Sequence, residues 1–241
     1  MNEANDSLDR LAAATDRLLA TVATLNDAQM REPSLLPGWT RGHVLTHIAR
    51  NADGLGNLLR WARTGTETPM YASAEARGKD IEAGSARPVS ALAADVGESA
   101  AWFAAEALTV PDSAWTVQVR ALNGPPFPAL GVLERRLSEV EIHHVDLAAG
   151  YTPGDWPADF VAGALPRVAG SFAGRDDAPP CLVWVAGTTT SFPIGPDQAG
   201  VPPVTIHGQP ADLLAWLLGR DGGARLTLPL GTTLPQLPPW R

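Results

Sequence analysis

Cysteine is nearly missing from this 241-residue chain, with Cys181 standing alone. That excludes an internal disulfide and any paired-cysteine zinc or redox site. Lysine is as scarce, Lys79 being the only one among 18 basic residues. No Lys/Arg block exists and the formal charge is −8, so the field of the whole molecule repels phosphate backbones and anionic lipid heads. Nucleic acid and membrane surfaces are therefore poor partners, whereas a small anion held by a local cluster of arginines remains compatible. No stretch reaches the ~18 consecutive apolar residues of a membrane span. The opening MNEANDSLDR is polar and acidic, unlike the basic and then apolar start of a secretion signal. A cytoplasmic protein is expected, and a monomer, although no residue fixes the oligomeric state. The common catalytic fingerprints are absent as well: there is no GxGxxG, P-loop, GxSxG or HExxH.

What is present is ordinary globular material, 45% hydrophobic and 18% charged. The length exceeds the ~100 to 150 residues of a typical domain, so the pattern along the chain has to decide the organisation. Leu8, Leu11, Leu18, Leu19, Val22 and Leu25 recur at steps of three and four and mark an amphipathic helix ending before Asn26. Thr40 can cap a second helix running to about Trp61. Residues 64 to 88, rich in Gly, Glu, Ala and Pro, read as a long connection with one short helix. A third helix is expected over about Ser90 to Leu108, and a fourth over about Ala129 to Ala149 after the prolines at 111, 125, 126 and 128. Beyond Gly150 the character changes. A helix over Ala158 to Phe172 precedes β-rich runs at Cys181 to Ala186, Thr188 to Ile194 and Val204 to His207. A helix over Ala211 to Leu218 and a last strand at Arg225 to Leu228 follow, with Pro235 to Arg241 as an ordered cap or frayed end. The fold class expected is a four-helix bundle over 1–150 followed by a small α+β domain over 151–241.

Four of the five histidines fall on two bundle helices: His43 and His47 on the second, His143 and His144 on the fourth. On the second helix Val44, Ile48 and Leu55 lie within about 40° of one another and define the core face. His47 and Asn51 project close to it, while His43 sits about 100° aside in the first turn. A metal site in such a bundle is built from inward-facing carboxylate and histidine at helical spacing. Glu139 with His143, four apart, satisfies this, and so does Glu141 with His144, three apart. Periodicity slightly favours His144, because Leu133, Leu137, Val140 and Leu147 centre the apolar face near it; the wheel does not choose between the pairs. The plainer alternative is that buried histidines only hydrogen-bond within the core.

The segment Gly38-Trp39-Thr40-Arg41-Gly42-His43-Val44-Leu45-Thr46-His47-Ile48-Ala49-Arg50-Asn51-Ala52 resembles the second helix of the mycothiol-dependent maleylpyruvate isomerase family, one of the DinB-like metal-binding bundles. Ser138-Glu139-Val140-Glu141-Ile142-His143-His144-Val145-Asp146-Leu147 resembles the fourth. Thr68-Pro69-Met70-Tyr71, followed by Glu75-Ala76-Arg77, is similar to the long loop between them. Both helical motifs belong to a broad superfamily, and the Thr-Pro-Met-Tyr loop is closer to the isomerases themselves. The resemblance implies His47, Glu139 and His143 as ligands of one divalent ion, zinc being favoured for that donor set. It also implies that Arg220, after Leu217-Leu218-Gly219, is the catalytic and substrate-binding arginine of the C-terminal domain, with Tyr71 and Arg77 as further substrate contacts. His43 becomes a supporting residue, His144 a neighbour, and Trp39 a wall of the pocket.

The implied chemistry is cis-trans isomerisation of maleylpyruvate to fumarylpyruvate, a step of gentisate breakdown. A thiolate adds to the double bond conjugated to the carbonyl, the new single bond rotates, and the thiolate leaves. Cys181 opens the apolar run Cys-Leu-Val-Trp-Val and is expected to be an inert core residue, so the thiol comes from outside, as mycothiol. The partners are then a small dicarboxylate and a low-molecular-weight thiol. A thiol S-transferase on the same scaffold would keep the adduct, and a non-catalytic metal- or ligand-binding protein would use the ion for stability alone.

Overall fold

The computed structural model describes residues 2–122, 124–197 and 203–240. The chain forms two compact units, Met1–Tyr151 and Thr152–Arg241.

The first unit is a helical bundle. Its helices are α1 (Asn2–Val22), α2 (Asp27–Met30), α3 (Arg41–Thr64), α4 (Ala74–Gly84), α5 (Val89–Leu108) and α6 (Gly131–Asp146). The four long ones are α1, α3, α5 and α6. Helix α3 packs on α5, α6 and α4, and α1 on α6 and α5. Leu18, Val22, Val44, Leu45, Ile48, Leu58, Leu59, Leu92, Val96, Phe103, Val132 and Val140 are wholly enclosed. That apolar centre is what makes helices of this length worth forming.

Local signals set the ends. Thr40 accepts from the His43 N–H while its own N–H donates to His43 Nδ1, closing a capping box at the start of α3. At the other end Gly65 takes the left-handed conformation at φ 71°. Asn26 and Gln29 form the same device on α2, a short helix not expected from the sequence. Ser73 caps α4 by accepting from the Ala76 N–H, so the expected connection between the second and third long helices carries three turns of helix. Helix α6 stops at Asp146, three residues short of the expected Ala149, because Ala148 turns to φ 51°.

Helix α4 lies unusually close to α3. A Cβ on Gly42 would sit 2.0 Å from the Ser85 carbonyl oxygen, and one on Gly84 2.4 Å from Thr46 Cγ2. These glycines let the two backbones approach. Between α5 and α6 the expected irregular stretch contains a 3₁₀ turn, Asp112–Ala114, and a short antiparallel pair, β1 (Gln118–Arg120) with β2 (Pro126–Pro128).

The second unit is α+β. Helix α7 (Ala158–Gly170) leads into β3 (Cys181–Val185), β4 (Ser191–Ile194) and β5 (Val204–Gly208), and α8 (Pro210–Leu217) follows. The sheet order is β4-β3-β5, with β3 antiparallel to β4 and parallel to β5. The strand expected at Arg225 to Leu228 is reduced to one bridge, Thr227 to His207. In the tail, Pro239 offers its carbonyl to Arg175 and the Trp240 ring lies under Arg167.

Candidate metal centre

The seam between α3 and α6 gathers three donor atoms. His47 Nε2 lies 3.0 Å from Glu139 Oε2 and 3.0 Å from His143 Nε2, and His143 Nε2 lies 3.3 Å from Glu139 Oε2. Among the described residues this trio forms a group whose ligand atoms all fall within 4.8 Å of one another. A tetrahedral ion with bonds of ~2.0 to 2.1 Å holds its donors about 3.3 Å apart, so this spacing suits a small dication without rearrangement of the helices. His47 is buried, whereas Glu139 keeps 32% of its side chain accessible, which leaves the group open on the carboxylate side.

Both imidazoles have a polar partner on their far nitrogen. Asp146 Oδ2, wholly buried, accepts from His143 Nδ1 at 2.8 Å. That bond fixes the ring and directs Nε2 at the other two donors. On His47 the rear partner is Arg77 of α4, whose Nη2 donates to Nδ1 at 3.0 Å. Trp39 meets the His47 ring edge-on at 5.5 Å and stacks on His43. Tyr71 packs flat against α3, where a Cβ on Gly54 would touch its ring, and carries Arg77 over its face at 5.7 Å.

The electrostatics follow from this enclosure. Burial, with the neighbouring His143, lowers the His47 pKa to about 4, against the opposing pull of Glu139. Burial would also raise Glu139, but hydrogen bonds from His143 and His47 hold it well below the usual carboxylate range. For His143 burial acts downward, and Asp146 and Glu139 outweigh it to raise the pKa. At neutral pH the trio therefore presents a carboxylate and an uncharged His47.

The other pair that the helical wheel allowed faces elsewhere. Buried Glu141 accepts from Arg17 of α1 and from the Tyr151 hydroxyl, while His144 bonds Thr21 and stacks on Tyr151 at 3.7 Å. His43 is occupied in the α3 cap and reaches Glu82 of α4 at 3.1 Å. Asn51 accepts from Arg136 at 3.0 Å. Asp146 and Arg136 are the residues that sequence reasoning missed. Asp146 was legible as the carboxylate three residues past His143; Arg136 carried no signal, since an arginine within an amphipathic helix is ordinarily a surface residue.

The sequence matches the family model of the mycothiol maleylpyruvate isomerase N-terminal domain over residues 11–148 and that of the family's C-terminal domain over residues 155–239. The chain belongs to the mycothiol maleylpyruvate isomerase family. Two solved structures are similar over 98% of this chain and 97% of theirs, each with a TM-score of 0.87. One is a mycothiol-dependent maleylpyruvate isomerase, at 32% identity, and the other a histidine-to-alanine variant under the same name, at 31%. No match is found among curated protein sequences. Within the family's C-terminal domain, Arg220 follows α8 and its Nη1 donates to the Leu218 carbonyl at 2.6 Å.

Proposed function

We propose that this chain is a mycothiol-dependent maleylpyruvate isomerase working at a divalent ion, zinc by preference, held by His47, Glu139 and His143. The observation that carries the reading is the convergence of these three donors on two facing helices, in a chain whose residues 11–148 and 155–239 match the family's two domains. Two imidazoles and one carboxylate leave coordination positions for an exchangeable ligand, the pattern of catalytic rather than structural sites. When bound, the ion would acidify a coordinated thiol, supplying thiolate at neutral pH where a free thiol near pKa ~8.5 is only a few per cent ionised.

The chain's own residues supply the rest. Cys181 is buried, and burial pushes its thiol up to about 11, so it is no nucleophile and the thiol must come from outside. An imidazole that binds a metal through Nε2 carries its proton on Nδ1 and no longer accepts from Arg77. Arg77 then becomes a donor for a substrate carboxylate or for the enolate oxygen that develops on thiolate addition. Tyr71, whose pKa burial raises, stays a neutral hydroxyl and orients Arg77 through its ring. Arg220 is assigned the second cationic role, on the family pattern. The buried histidines and Trp39 exclude water from one side of the thiol's position and so favour return of the leaving thiolate over side reactions.

Titration of metal-free protein with zinc, followed by calorimetry, tests the ligand set. One ion per chain is expected, with affinity lost in His47→Ala and in Glu139→Gln. Unchanged affinity in both variants would remove the site.

A further inference from the structure

Arg136 lies on α6 one turn before Glu139 and is wholly buried. Its Nη1 donates to the Ile48 carbonyl at 2.7 Å and to Asn51 Oδ1 at 3.0 Å. Both partners are neutral. Its Nε and Nη2 are buried too and have no hydrogen-bond partner among the described residues. A guanidinium taken out of water without a paired carboxylate is costly, and packing alone is served better by an apolar side chain of similar size. Burial brings its pKa down to about 10, which still leaves it charged at neutral pH.

The place of this charge suggests what it does. Ile48 and Asn51 are neighbours of His47 on α3, so the guanidinium bridges α3 and α6 beside the meeting point of His47 and Glu139. The titratable groups near enough to act on it are Glu139 first, then the neutral Tyr71 and the carboxylate of Asp53. Asp53 is held by Arg50 at 3.0 Å, and Glu139 is shared by two histidines. Arg135 also feels Glu139, and Arg77 sits on His47. Arg136 and Arg135 thus both act on Glu139 while Arg77 sits on its neighbour His47, and of these charges a buried one is screened least. A dication bound at the trio adds two positive charges that Glu139 and the buried Asp146 offset, so the charge of Arg136 comes in excess and favours an added anion.

We propose that Arg136 is the positioning charge that makes the His47–Glu139–His143 site select anions, strengthening its hold on a dicarboxylate while weakening its hold on the dication. This deepens the metal-site reading and rests on it. Arg136 acts through the field at the site and leaves direct contact with substrate to more accessible groups.

Removing the charge of Arg136 should therefore move the affinities for dication and dianion in opposite directions. Zinc affinity of metal-free protein and maleate affinity of zinc-loaded protein are measured by calorimetry for the wild type and for Arg136→Met. The expected result is zinc binding at least about a hundredfold tighter and maleate binding at least about a hundredfold weaker, the least that one unit charge several ångströms away gives in an effective dielectric of about 20. A residue that only holds the helices together would weaken both when replaced, and that result overturns the inference, as does no change in either. Arg136→Lys keeps the charge and carries the test if the Met variant fails to fold. Both affinities should then change far less than in the Met variant, and loss of both would overturn the inference by showing that the Nη1 bonds to Ile48 and Asn51 matter rather than the charge. Failure of the wild type to bind zinc at all would overturn the metal site first, and is a different result from any of these.

Discussion

At the scale of single residues, the proposed metal ligands compete with protons for the same atoms, and the two histidines are poised differently. His143, with its raised pKa, carries a proton at pH 6, whereas His47, lowered to about 4, does not. Zinc must therefore displace about one proton per chain at pH 6 and fewer as pH rises through the His143 value. Affinity should weaken steadily as pH falls below that value. Calorimetry in two buffers of different ionisation enthalpy reads the proton count directly, and release of none at pH 6 would contradict the assignment of His143. Arg220 makes a separate prediction. Arg220→Ala should lower kcat/KM by about 10² to 10³, the usual cost of one donor to a developing oxyanion, while zinc affinity stays unchanged. Full activity in that variant would withdraw the role.

At the scale of elements, α4 and its glycine contacts decide whether Arg77 and Tyr71 reach the site. Gly42→Ala places a Cβ against the Ser85 carbonyl, a backbone atom that cannot swing aside. The cost should be about 1 to 3 kcal/mol, seen as a lower urea midpoint with unchanged slope. An unchanged midpoint would mean that α4 gives way freely. This element also shows where the sequence was readable and where it was not. The long amphipathic helices were legible because their apolar residues repeat with the helical period, and the Thr40 cap because Thr40 stands just ahead of such a run. Helix α4 is short and only Ile81 and Gly84 within it are buried, so it has almost no apolar stripe to read. The choice between Glu139–His143 and Glu141–His144 was equally closed to the wheel. Both sets of side chains are drawn inward, one toward α3 and the other toward α1, and only the packing of neighbouring helices separates them. At the other end of the chain, Thr227 makes its single bridge from a segment with apolar residues on either side, which locally looks like a strand.

At the scale of the whole molecule, the bundle owes its stability to its own apolar centre rather than to an ion. Leu45, Ile48, Leu58, Leu92, Phe103 and Val140 are enclosed regardless of what the trio holds. Removal of metal by a chelator should therefore leave far-ultraviolet helicity nearly intact while abolishing turnover, unlike the small zinc domains that unfold without their ion. Loss of helicity on chelation would make the site structural. The net charge is −8, while Arg77 and Arg136 lie beside the trio, so a small dianion drawn to these arginines should bind more weakly as salt is added. Isomerase activity is read most directly by the rate at which zinc-loaded protein converts maleylpyruvate to fumarylpyruvate, followed by ultraviolet absorbance with and without mycothiol. Conversion that requires the thiol and disappears in His47→Ala is the predicted result. Well-folded, zinc-bound protein that turns over no maleylpyruvate with mycothiol present would contradict the isomerase and leave a thiol S-transferase on the same metal site.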